Sequence, residues 1–316
     1  MYGLICILIG FWSCSILSPS ILSPNTLAVR PVPWSLRNVM DSPSCGLLIL
    51  SPIHKTNPRR QTRFVQNLKK LAYNHTDACI VLLSDEASFS IVKNSTSVLI
   101  EARFAFVRII QDPPFLQQMN LVQPSFGDRH ESHFQEHRRS TIAQGRNYLL
   151  YSALALVNSP EWVLWLDSDL LSYPANLVER MLATGKQIVV PTCLCAGVGR
   201  SSCGDNVYDK NSWAETDVSR GHLKKVPRNV LRVEGYGNDI GRLYMDDLRA
   251  RAKNGTQLVE LQGIGGTCIL IRASLHRRGI FFPPFLVNHE LETEGNYLRA
   301  CTRQTPYEHF CYCILL

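Results

Sequence analysis

Asp167 and Asp169 are the residues best placed to do chemistry. They flank Ser168 at the end of the apolar run Trp162-Val163-Leu164-Trp165-Leu166. A short run rich in Val, Leu and Trp reads as a buried strand. Side chains alternate along an extended backbone, so Asp-x-Asp at a strand exit sets two hard oxygen donors on one side. Buried carboxylates need a partner, and a divalent cation is the strongest one available. One reading is a Mg²⁺ or Mn²⁺ site that holds a diphosphate. The other is a turn in which both carboxylates are solvated or cap the next helix, and the pair alone does not choose between them.

Further candidates lie around this strand. Ser140 to Val157 has helical spacing, and Arg146 falls inside its apolar stripe of Ile142, Leu149, Leu150, Ala153 and Val157. A guanidinium on a buried face needs an anion, so Arg146 either clamps a diphosphate, pairs with the Asp-x-Asp strand, or snorkels out at the stripe's edge. Tyr208-Asp209-Lys210-Asn211-Ser212-Trp213 sets polar groups between aromatics, which suits sugar or base recognition or an ordered surface loop. Gln262-Gly263-Ile264-Gly265-Gly266 is a glycine turn that lets backbone approach a ligand closely, or simply turns tightly. Glu290, Glu292 and Glu294 beside His289 supply acid/base or acceptor-binding groups, or a charged helix start.

The elements that must position these residues follow a βαβ pattern. Gly46 to Pro52 is a first buried strand, Arg59 to Tyr73 a helix, Ala78 to Leu83 a second strand and Phe104 to Ile110 a third. That order starts a parallel sheet with crossover helices, and such sheets bind ligands at the carboxyl ends of their strands. Ser51, Ser84 to Glu86 and Asp167 to Asp169 are then expected along one edge. Gln111 to His137 shows no periodicity and is expected to be a long functional loop. Pro174 to Ala183 is expected to be helical, with strands at Gln187 to Pro191 and Cys268 to Ile271.

Composition narrows the class. The chain has 316 residues, 45% hydrophobic and 19% charged, with a net charge of +7. Such a chain holds one large α/β domain or two small ones, and its charge suits an anionic ligand or membrane surface. No basic stripe with interleaved aromatics argues for nucleic acid. Eleven cysteines, with glycosylation triplets at Asn74, Asn94 and Asn254, point to a secretory compartment. Cys193, Cys195 and Cys203 lack a fourth ligand at zinc spacing, so disulfides or thiols are expected. Residues 1–17 are apolar and read as a marginal signal-anchor, although shorter than the ~20 residues of a spanning helix and without a basic start. Residues 18–45, rich in Pro and Ser, have the composition of a stem.

Taken together, these blocks resemble the fungal mannan-polymerase α-1,6-mannosyltransferases, glycosyltransferase family 62. The likeness runs from Gly46 to about Ala300. It is carried in order by Arg138-Arg139 through Gly145-Arg146-Asn147, Trp165 to Asp169, Tyr208-Asp209 with Asn211 and Trp213, Val233-Glu234-Gly235-Tyr236, Gly263 to Gly266, Phe282-Pro283-Pro284-Phe285, and Leu291 to Gly295.

The resemblance implies an α/β GT-A nucleotide-sugar transferase fold over residues 46–300, with a mostly parallel central sheet flanked by helices. It implies a Golgi type II membrane protein with a lumenal catalytic domain, working as a hetero-oligomer with related mannosyltransferases. It implies Mn²⁺-dependent transfer of mannose, with retention, from GDP-mannose to an α-mannoside acceptor of mannan or N-glycan. Asp167 and Asp169 would hold the metal and diphosphate, and Arg146, Gly265 and Gly266 would bind the donor. Asp209 would act near the donor sugar, and Glu292 and Glu294 on the acceptor side. Two departures weigh on the activity. Gln262 stands where the family has Asp. Past Cys301 a divergent tail, residues 301–316, replaces the family's further strand and metal-binding histidine, so a truncated C-terminus, a missing metal ligand and a missing sheet element are expected. These departures keep open an alternative, a non-catalytic subunit of a mannosyltransferase complex. A phosphohydrolase is disfavoured, because no second ligand cluster surrounds the strand in sequence.

Overall fold

The computed structural model describes residues 42–120, 132–195, 207–227, 230, 240–252, 258–285 and 311–314. The expected signal-anchor, nearly all of the stem, Val233 to Tyr236, Glu292 and Glu294 lie outside them. Among the described residues no helix is long and apolar enough to cross a membrane.

The strands are β1 (Leu47–Ile53), β2 (Ala78–Ser84), β3 (Phe106–Gln111), β4 (Trp162–Leu166), β5 (Ile188–Pro191), β6 (Trp213–Ala214), β7 (Leu243–Tyr244), β8 (Leu258–Leu261), β9 (Cys268–Arg272) and β10 (Cys311–Ile314). One eight-stranded sheet has the order β3-β2-β1-β4-β9-β5-β10-β8, and β6 pairs with β7 apart from it. Neighbours from β3 to β4 are parallel; β9 runs against both β4 and β5. The mostly parallel α/β sheet expected from the sequence is present.

The helices are α1 (Pro58–Lys69), α2 (Glu86–Glu101), α3 (Pro114–Asn120), α4 (Ser132–Leu156), α5 (Leu177–Leu182), α6 (Asp217–Leu223), α7 (Met245–Arg251) and α8 (Ala273–Arg277). Alternation along the strands divides the core into two layers. Leu48, Leu50, Val81, Val163 and Trp165 pack on α4 through Ala143, Leu149, Leu150 and Ala153. Leu47, Ile49, Ile80, Leu82 and Leu164 pack on α1, α2 and α5 through Phe64, Leu68, Val92 and Met181. Strands buried on both faces explain the unbroken apolar runs.

Three expectations need correction. The stretch 111–137 is not one loop: Pro114 starts α3, whose Leu116 is buried, and α4 begins at Ser132. Proline suits a first helical turn, and the short α3 is too brief to show periodicity in sequence. The folded unit also starts before Gly46, since Cys45 is buried and disulfide-bonded to Cys79, and Asn158 N donates to Pro43 O at 2.8 Å. Finally, the divergent tail is not without a sheet element. It supplies β10, parallel to β5 and antiparallel to β8. Strand pairing needs backbone donors and acceptors more than a particular side-chain pattern, so a divergent sequence can fill the position.

Candidate active site

The site forms where β1 and β4 end side by side. Leu47 to Leu50 pair in parallel register with Trp162 to Trp165, so the end of β1 at Ile53 and Asp167, just past β4, lie at the same edge of the sheet. Asp167 N donates to Thr267 O at 2.9 Å, which fixes the turn that carries Asp-x-Asp. Asp167 is partly buried and Asp169 is exposed.

Arg146 resolves the choice posed by its place in the helical stripe. Its side chain is 3% exposed, and Nη2 donates to Asp167 Oδ1 at 2.9 Å. The guanidinium also lies 5.1 Å from the Phe282 ring centroid. It pairs with the Asp-x-Asp strand and does not snorkel. A cleft of about 220 Å³ opens over this pair, between the β1 loop and α4. Arg60, Arg138 and Arg146 line it with His54, Asp167 and Asp169. Three guanidinium groups beside hard carboxylate oxygens suit a diphosphate bridged by a cation.

The loop after β1 is held in a specific shape. Lys55 has φ of 49°, a left-handed conformation uncommon for a non-glycine residue. Its N–H donates to Asp85 Oδ2 at 2.9 Å, and Thr56 N donates to Ser88 Oγ at 3.0 Å. Asp85 also caps α2 through Ser88 N. His54 Nε2 lies 3.0 Å from Asp112 Oδ1, a carboxylate buried just past β3. The sequence reading missed His54, Asp112 and Arg60. Asp112 alone carried a signal, since it follows the third strand at its carboxyl end.

The glycine turn makes room for the site's own side chains. A Cβ at Gly265 would run into the Asp209 carboxylate, and one at Gly266 into the Arg146 guanidinium. Asp209 Oδ1 accepts from Asn211 N at 3.0 Å and Oδ2 from Thr267 Oγ1 at 3.1 Å. Thr267 thus links Asp209 to Asp167. Gly263 lies against Trp213, whose ring centroid is 3.4 Å from the Arg242 guanidinium carbon. Arg242 and Glu215 pair at 3.5 Å with side chains 0% and 2% exposed. Gln262 accepts from Glu215 N at 2.9 Å and donates to Glu260 at 3.3 Å. The amide therefore ties β6 to the turn, a hydrogen-bonding role open to a neutral group.

Helix α4 joins the remaining blocks. Arg139 Nη2 reaches Asn211 Oδ1 at 3.5 Å, Ser140 Oγ donates to Pro284 O at 2.9 Å, and Asn147 holds both the N–H and C=O of Phe282. The Cys268 thiol is pushed well up by burial, with the Asp167 charge adding to the shift. Cys195 is disulfide-bonded and Cys193 is not.

Among the described residues no three of His, Cys, Asp and Glu cluster as a metal cage. Asp167 and Asp169 nonetheless fit a Mn²⁺ or Mg²⁺ ion that keeps waters and takes phosphate oxygens, since such ions use one or two carboxylates.

The Anp1 family model matches residues 39–286, the whole of this construction from β1 to Phe282 and beyond. The chain belongs to the Anp1 family. The mannan polymerase complex subunit mnn9 of Schizosaccharomyces pombe is 29% identical over 262 residues, covering 79% of this chain and 73% of that one. The mannan polymerase complex subunit MNN9 of Candida albicans is 28% identical over 259 residues, covering 79% and 68%. These relatives bear out the family resemblance drawn from the motifs. Of solved structures, S. aureus TarS 1–349 aligns with a TM-score of 0.41 and 14% identity, over 85% of this chain and 57% of that one. The Anp1 match takes in Arg146, Asp167, Asp169, Asp209, Gly265 and Gly266, and ends before Glu292 and Glu294.

Proposed function

We propose that this chain is a Mn²⁺-dependent retaining hexosyltransferase that moves mannose from GDP-mannose to an α-mannoside of mannan or N-glycan. The observation that carries this reading is the Arg146–Asp167 pair at 2.9 Å under a cleft with three guanidinium groups, with exposed Asp169 beside it. Family membership supplies the sugar chemistry: the relatives are mannan polymerase subunits.

In this reading Asp167 and Asp169 hold Mn²⁺, which when bound supplies positive charge against the departing diphosphate. Arg146, fixed by Asp167 and Phe282, adds charge where the leaving group develops it. Asp209, held by Thr267 and the Asn211 N–H, is anchored against the turn and lies near the donor sugar. Asp209 spends both carboxylate oxygens on Asn211 N and Thr267 Oγ1, so it is not assigned as a nucleophile. The acceptor hydroxyl therefore attacks the anomeric carbon on the face that GDP leaves. The C1–O bond to phosphate breaks, its electron pair goes to GDP, and the acceptor proton passes to a phosphate oxygen. Glu292 and Glu294 serve the acceptor side. The protein acts in the Golgi membrane as part of a hetero-oligomer of related transferases, with its catalytic domain in the lumen.

The test is GDP release from GDP-mannose by the full chain, with an α-mannoside acceptor, with and without Mn²⁺. Turnover that needs Mn²⁺ and is lost in Asp169→Asn supports the reading. A mannosyl adduct trapped on a carboxylate would sink front-face attack. A second reading, a non-catalytic complex subunit, draws on Gln262, whose amide is committed to Glu215 and Glu260. It expects Asp169→Asn to leave complex assembly and mannan content unchanged.

A further inference from the structure

A second cleft, of about 610 Å³, shares Asp169 with the first and is bordered by the segments that follow β4 and β5. We propose that this cleft seats the acceptor, a neutral α-mannoside oligosaccharide, with the Tyr208 ring as its stacking platform. The proposal rests on the glycosyl-transfer reading above for the identity of the sugar.

Continuity is the first argument. Because Asp169 lines both clefts, a ligand in the second abuts whatever Asp167 and Asp169 hold in the first. That adjacency is what transfer between two substrates requires.

Charge is the second. The first cleft is walled by Arg60, Arg138 and Arg146; among the described residues that line the second there is no Lys, Arg or Glu. It offers the hydroxyls of Ser172, Thr192 and Thr267 among apolar side chains. These described residues offer a diphosphate no cation, whereas an uncharged polyol finds hydroxyl partners and apolar surface together. The volume falls inside the ~300–1,000 Å³ typical of pockets for ligands of drug size.

Tyr208 is the third. It is 61% exposed, and it lines the cleft. Its backbone is nonetheless anchored: Tyr208 N donates to Cys193 O at 2.8 Å, and the adjoining Val207 bridges Leu194. An exposed ring on a fixed backbone has an apolar face for the C–H surface of a pyranose and a polar tip for its hydroxyls.

Cys193 lines the same cleft and is not in a disulfide, which gives a readout independent of turnover. The full chain, with GDP and Mn²⁺, is treated with N-ethylmaleimide, and the Cys193 peptide is followed by mass spectrometry. α-1,6-Mannobiose at saturation slows its alkylation about tenfold in the wild type and far less in Tyr208→Ala. In turnover, Tyr208→Ala raises the acceptor KM about tenfold with the GDP-mannose KM unchanged, and Tyr208→Phe restores it. Alkylation indifferent to mannobiose overturns the proposal, as does protection that survives intact in Tyr208→Ala. Protection without turnover upholds the sugar cleft while the transferase reading fails. Turnover without protection or a KM change rejects this cleft and leaves the transferase reading standing.

Discussion

Arg146 on α4 and Asp167 beyond β4 meet at 2.9 Å across 21 residues of sequence, and the guanidinium is almost fully enclosed. Asp169, two residues on, is exposed. The two carboxylates of one motif therefore have separable duties. Asp167 anchors Arg146 and lines the first cleft, whereas Asp169 lines both clefts.

Asp169→Asn is expected to lower Mn²⁺-dependent GDP release about 10²–10³-fold, the loss typical of removing an electrostatic stabiliser. Its melting temperature stays at the wild-type value. Asp167→Asn is expected to lose activity and also about 1–3 kcal/mol of stability, because a buried guanidinium loses its charged partner. Thermal melts beside the GDP-release assay check both. Equal melting temperatures for the two variants would contradict the division.

Gly266→Ala places a methyl group where the Arg146 guanidinium lies. Either the turn or Arg146 must move, at a cost of about 1–3 kcal/mol for overpacking. Gly185→Ala is the control for crowding: nothing lies within 4 Å of its added Cβ, and its cost comes from φ of +65° alone. Only Gly266→Ala is expected to weaken GDP binding, measured by titration calorimetry with Mn²⁺ present.

The Arg242–Glu215 pair sits beneath Trp213 with both side chains out of solvent. Arg242→Met takes away the guanidinium that pairs with the buried Glu215 carboxylate and is expected to cost about 3–5 kcal/mol. Adding Glu215→Gln should recover much of that loss, because a neutral amide needs no counter-charge when buried. Urea denaturation of the two variants measures it, and no recovery in the double variant would show that cation–aromatic packing dominates.

His276 gives the fold an acid sensitivity. Burial holds its imidazole down at about 4, from an ordinary value of 6.5. Trp165 Nε1 donates to its Nε2 at 3.4 Å, so Nδ1 carries the proton toward Ile280 O at 2.9 Å. Below pH 6.5 the unfolded chain takes up a proton that the folded one refuses. Stability therefore falls by about 1.4 kcal/mol per pH unit down to pH near 4, and this group contributes no slope above 6.5. His276→Asn is expected to be less stable at pH 7.5 but to lose stability more gently on acidification, as followed by melting temperature from pH 7.5 to 4.

The local elements and the rarest chemistry are legible in the order of residues alone. Trp162 to Leu166 is a strand ending in Asp-x-Asp because five apolar residues can be buried on both faces of a sheet. Arg146 was visible as a cation inside an apolar stripe. The parallel β1–β2–β3 start followed from helices between strands, and the order of motif blocks sufficed for the family. Tertiary structure decided what depends on partners far along the chain. β9 runs antiparallel between β4 and β5, and β10 fills a place beside β5, because strand direction is set by which neighbours need hydrogen bonds. Gly265 and Gly266 gained a reason only when Asp209 and Arg146 occupied the space a Cβ would take. Arg242, Glu215 and Trp213 converge from separate elements, and periodicity within one element carries no information about such meetings. The second cleft is likewise a gap between segments, defined by how they pack rather than by any one stretch of residues.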